Sequence, residues 1–79
     1  MTSNEIRSLS DLRIGESGVI DDILAPRSLT RRLLEMGLTG GTRLELIRLA
    51  PLGDPLEVSV RGYRLTLRRD EAQAVRLRM

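Results

Sequence analysis

Seventy-nine residues leave room for one domain, spanning the whole chain, because so short a chain has barely enough apolar surface to close a single core. Cysteine and histidine are both absent, which excludes disulfides, thiol nucleophiles, zinc-finger spacings and the commonest transition-metal ligand, so no resident cofactor is expected. Thirteen basic residues, all arginine, stand against eleven acidic ones, and the pairs Arg31-Arg32 and Arg68-Arg69 with Arg76 and Arg78 give a nucleic-acid reading some support. Against it, the acidic residues are interspersed along the chain. Tyr63 is the one aromatic side chain, whereas single-strand binders stack bases on aromatic platforms.

The N-terminus, Met1-Thr2-Ser3-Asn4-Glu5, has no basic segment followed by an apolar run. No stretch approaches the ~18 apolar residues of a membrane span. A soluble, cytoplasmic protein is expected.

In chain order, Ser8 to Glu16 carries apolar residues at 9, 12 and 14 and a glycine at 15, the pattern of a short helical turn leading into a strand. Gly18 to Leu24 is rich in β-branched and aliphatic side chains and predicts the first strand, with Asp21 and Asp22 inside it. Leu29, Leu33 and Met36 then recur at i, i+4 and i+7, so a helix of about nine residues is predicted, with Ser28 as N-cap. Gly37 suits the left-handed position after its end, and Leu38 should fold back onto Leu33.

Thr42 to Leu49 predicts a strand whose apolar residues change parity, from Leu44 and Leu46 to Ile47 and Leu49, which indicates a bulge or strong bend. The two prolines of Ala50-Pro51-Leu52-Gly53-Asp54-Pro55 withhold ladder donors, so pairing stops there. Leu56, Val58 and Val60 alternate with polar residues, and Tyr63, Leu65 and Leu67 resume the alternation after Arg61-Gly62. A hairpin closed over that dipeptide sets Val60 opposite Tyr63, Val58 opposite Leu65 and Leu56 opposite Leu67, with all six side chains on one inward face. Asp70 to Gln73 reads as one helical turn, and Ala74 to Arg78 as a last strand with Val75 and Leu77 inward.

Five short strands, one helix after the first and a helical turn before the last describe a mainly β fold, a small SH3-like five-stranded barrel. The sequence also resembles the FeoA family in Leu9-Ser10-Asp11-Leu12 with Gly15, in Arg32-Leu33-Leu34-Glu35-Met36-Gly37-Leu38 with Gly41, and in Ala50-Pro51-Leu52-Gly53-Asp54-Pro55. The likeness continues through Gly62, Leu65, Leu67-Arg68 and Glu71-Ala72. The resemblance implies an accessory protein of bacterial ferrous iron uptake, whose partner is the cytoplasmic side of the FeoB-type transporter, a membrane protein with a GTP-binding domain. A related module forms the C-terminal domain of some iron-dependent repressors. No helix-turn-helix precedes it here, so a free-standing protein is expected.

No nucleophile with a base, no paired carboxylates in a cleft and no GxxxxGK[ST] loop occur in the sequence, so no catalytic residue is assigned. Asp21, Asp22, Asp54 and Glu57 are the carboxylates that would hold a metal weakly. Arg27 and Arg61, in predicted loops, are candidates for an arginine finger offered to the transporter's GTPase, and a small RNA-binding barrel is the further alternative. The expected partner surface joins Met36, Gly37 and Leu38 at the helix end to Leu52, Gly53, Asp54 and Pro55 in the loop. Leu52 admits two readings: it contacts a partner, or it folds down and caps the open end of the barrel.

Overall fold

The computed structural model describes residues 5–79. In chain order it runs β1 (Ile6–Ser8), a single 3-10 turn (Leu9–Asp11), β2 (Ser17–Ile23), α1 (Arg27–Glu35), β3 (Arg43–Leu49), β4 (Leu56–Val60), β5 (Tyr63–Leu67), α2 (Arg69–Ala74) and β6 (Val75–Arg78). All strand pairs are antiparallel, in the order β1-β6-β2-β3-β4-β5. This is the SH3-like architecture expected, with six strands rather than five. The unanticipated strand, β1, pairs Ile6 with Arg78 and Ser8 with Arg76 on β6. Three residues carry too little alternation to announce a strand, and the pairing with β6 supplies what the local pattern lacks.

The β4–β5 register is the expected one, with Val60 opposite Tyr63, Val58 opposite Leu65 and Leu56 opposite Leu67. Its turn places Arg61 at φ 49 and Gly62 at φ 86, the pair of positive angles whose twist matches the flanking strands. Tyr63 departs from expectation. It is 41% exposed rather than inward, because it lies at the turn end of an edge strand, beyond the close-packed interior, where its hydroxyl can be satisfied.

Both irregularities in the ladders fall where a strand must turn over the core. The β3–β4 register shifts between Leu46 and Arg48, which lets Leu46 stay fully buried while Leu49, of opposite parity, also packs inward. A second shift, between Ile20 and Asp22 in β2, does the same for Ile20 and Ile23 around an exposed Asp21.

The helix α1 buries Leu33 completely and rests Leu29 and Met36 against the core, as its periodicity predicted. Its start is two residues earlier than the Ser28 cap implied. Pro26 is the N-cap, without a side-chain cap bond, and its carbonyl accepts the Thr30 N–H at 2.9 Å. At the other end Gly37 stands at φ +96. The Gly37 N–H reaches the Leu34 carbonyl at 2.9 Å and the Leu38 N–H the Leu33 carbonyl at 3.1 Å, a Schellman closure that turns Leu38 into the core.

Candidate partner interface

The loop after β3 is a closed and ordered unit. The Ala50 N–H donates to the Pro55 carbonyl at 3.1 Å and the Gly53 N–H to the Ala50 carbonyl at 2.7 Å, so pairing ends and resumes without stranded donors. Two contacts tie the loop to α2: the Arg69 N–H donates to Asp54 Oδ1 at 3.0 Å and the Arg69 guanidinium to the Gly53 carbonyl at 3.2 Å. Asp54 therefore satisfies a donor in the first turn of α2. Leu52, held at the tip between Pro51 and Gly53, is 94% exposed. It does not cap the barrel, and a large apolar side chain stands in water on a braced loop.

The helix end behaves differently. Leu38 is fully buried, so this member of the expected contact surface belongs to the core: the Schellman turn that Gly37 permits drives it inward. Met36 is half-buried against the same core, and its carbonyl accepts the Tyr63 hydroxyl at 2.6 Å. A Cβ on Gly37 would overlap that hydroxyl. The tyrosine thus links the end of α1 to β5, a role that alternation alone could not announce.

Between the two segments lies an open cleft of about 540 Å³ lined by Arg32, Met36, Asp54, Pro55, Thr66, Arg68 and Glu71. Glu71 organises its floor. Only 10% of its side chain is exposed, Oε1 accepts the Arg68 N–H at 2.8 Å, and Oε2 accepts the Arg32 guanidinium. One carboxylate therefore caps α2 and fastens α1 to it. The sequence signal was Glu71 at the third position of α2, a place where acidic side chains reach back to the cap.

The four candidate metal carboxylates do not converge. Asp21 faces Arg78 at 3.5 Å, Asp22 accepts the Ile23 N–H at 2.8 Å, Asp54 is bound to Arg69, and Glu57 pairs with Arg64 at 3.2 Å and Arg48 at 3.8 Å. Among the described residues no three metal-ligating side chains gather. Of the two candidate finger arginines, Arg61 donates to Thr42 Oγ1 at 3.1 Å, while Arg27 is exposed at the first position of α1. Among the described residues, no helix is long and apolar enough to cross a membrane.

The FeoA domain model matches residues 7–79. The chain belongs to the FeoA domain family. A curated relative from Porphyromonas gingivalis, a fusion of Fe(2+) transport protein A with the Fe(2+) transporter FeoB, is 31% identical over 71 residues, which is 90% of this chain and 8% of that protein. The chain thus spans less than a tenth of that relative. The solution structure of the FeoA protein of Chlorobium tepidum is 38% identical with a TM-score of 0.83, over 92% of this chain and 70% of that one. FeoA of Stenotrophomonas maltophilia, a prokaryotic SH3 domain protein solved with zinc, is 30% identical with a TM-score of 0.76, over 91% and 96% of the two chains. A role as an activating factor of ferrous iron transport has been suggested for it.

Proposed function

We propose that this FeoA-domain chain is a non-catalytic cytoplasmic accessory of ferrous iron transport that binds the cytoplasmic side of a FeoB-type transporter and modulates transport. The observation that carries this reading is the relative in which transport protein A and the transporter are one polypeptide. A tether of that kind holds two modules at an effective concentration on the order of millimolar, which is useful when they work against each other. The contact surface on this chain is the loop at Leu52, Gly53, Asp54 and Pro55 together with Met36 and Gly37.

The physical support is local. Leu52 is 94% exposed on a loop stiffened by Pro51 and Pro55 and closed by its own hydrogen bonds, so little conformational freedom is lost on docking. Covering the side chain would gain about 1.5–3 kcal/mol of hydrophobic free energy that the isolated domain forgoes. The test is a pull-down of the transporter's cytoplasmic domain by this chain, with and without guanine nucleotide, beside ferrous uptake in cells that carry the transporter and either have or lack this chain. Retention of the domain and faster uptake with the chain present are expected. No retention under either condition, with uptake unchanged, overturns the reading.

A further inference from the structure

Among the described residues β1 and β5 are the outermost strands of the sheet, and no strand lies along the outer side of β5. The two-residue turn at Arg61-Gly62 makes Val60–Tyr63, Val58–Leu65 and Leu56–Leu67 the pairs that exchange backbone hydrogen bonds. The N–H and C=O groups of Arg64 and Thr66 therefore point away from β4. Among the described residues β5 has no second strand neighbour, and those four groups have no hydrogen-bond partner. The five-residue strand has no proline and its ladder with β4 has no bulge, so what guards this edge is the charge of Arg64, which repels a like strand and admits an acidic one.

The edge opens into a groove. Thr66 lines the cleft described above together with Arg32, Met36 and Arg68, and the two carboxylates of that lining are already engaged, Asp54 by the Arg69 N–H and Glu71 by the Arg68 N–H and the Arg32 guanidinium. On the outward face Arg48 and Arg64 share the single carboxylate of Glu57. Arg68 makes no ion pair among the described residues, and the Arg32 side chain is 65% exposed beside its bond to Glu71. A second copy of the chain would bring a second set of arginines against these, whereas an acidic strand would be drawn to them.

We propose that β5 is an acceptor edge for an extended partner segment that alternates apolar and acidic residues. Its backbone pairs with Arg64 and Thr66, its apolar side chains cover the half-buried Leu65 and the 41% exposed Tyr63, and its carboxylates meet Arg64 and Arg68 on the other face. This deepens the transporter-binding reading and rests on it for the identity of the partner.

The experiment is amide hydrogen exchange on the full chain, alone, with the transporter's cytoplasmic domain, and with a short synthetic peptide alternating valine and glutamate. A second peptide alternating valine and lysine is the control. Both the domain and the acidic peptide should slow exchange at Arg64 and Thr66 by about tenfold or more, and the basic peptide should not. Thr66→Pro removes an N–H that β4 does not use, and should weaken domain binding about tenfold with an unchanged far-UV circular dichroism spectrum. Should that variant fail to fold, exchange on the wild-type chain decides alone. If the domain binds while both amides exchange as in the free protein, the edge proposal is wrong and the transporter reading stands. If the domain does not bind but the acidic peptide protects both amides, the transporter reading fails and the edge stands. No binding of the domain together with no protection by the acidic peptide overturns both, and protection that grows with protein concentration alone replaces the acidic partner by a second copy.

Discussion

Replacing Gly37 by alanine tests how the end of α1 is closed. Gly37 stands at φ +96, where a Cβ would overlap the Tyr63 hydroxyl. The backbone penalty for an L-residue in this region is about 1–2 kcal/mol. Evicting the hydroxyl also loses its 2.6 Å bond to the Met36 carbonyl, worth about 0.5–1.5 kcal/mol and toward the low end at a half-exposed site. Gly37→Ala should therefore cost about 2–3 kcal/mol, and Tyr63→Phe about 0.5–1 kcal/mol. The two losses share one bond, so the double variant should cost less than the sum by about 0.5–1 kcal/mol. Urea denaturation of the four proteins measures this at constant m-value, and each kcal/mol also moves Tm by about 4–8 °C in a domain of this size. Strict additivity would refute the argued contact. A Gly37→Ala variant as stable as the parent would refute the closure itself.

Val58→Asp buries an unpaired carboxylate at a position with no exposure, between Leu46 and Leu65; a loss of about 3 kcal/mol or more should unfold the domain, and an unchanged Tm would contradict the register. Glu71→Ala removes the acceptor of the Arg68 N–H and the anchor of Arg32. Because that arginine is largely exposed, the expected cost is about 1–2 kcal/mol, carried mostly by the cap, and denaturation without change would show the carboxylate to be idle. Anaerobic titration with ferrous ion should give a dissociation constant weaker than about a micromolar, roughly −8 kcal/mol of binding, since Asp21, Asp22, Asp54 and Glu57 each face a different internal partner.

Much of the fold was legible because its strongest signals are local. The alternation around Arg61-Gly62 allows one register without exposing an apolar set, and Gly37 followed by Leu38 spells a helix closure in two residues. The parity change at Ile47 marked the bulge in β3 correctly, since period-2 packing cannot otherwise bury both Leu46 and Leu49. What escaped the sequence depends on distant chain. β1 exists because β6 is there to pair with it, and Tyr63 stays 41% exposed with its hydroxyl on the Met36 carbonyl at the end of α1. Leu38 was misplaced on the partner surface for a related reason. An apolar residue after a helix can face a partner or the core, and only the packing of α1 on the sheet selects the core. Leu52 shows the same ambiguity resolved the other way, because the loop is held outward by its bonds to Arg69.

The central claim is that the chain binds the transporter through the exposed loop after β3. Isothermal titration of the transporter's cytoplasmic domain, with the wild-type chain and with Leu52→Asp, tests it most directly. Leu52 touches nothing that the fold needs at 94% exposure, so the variant should keep its circular dichroism and stability within about 0.5 kcal/mol. The wild type is predicted to bind, and the folded variant to bind at least about tenfold more weakly, a loss of about 1.4 kcal/mol. Equal affinity of the two, or no binding by the wild type, would contradict the account.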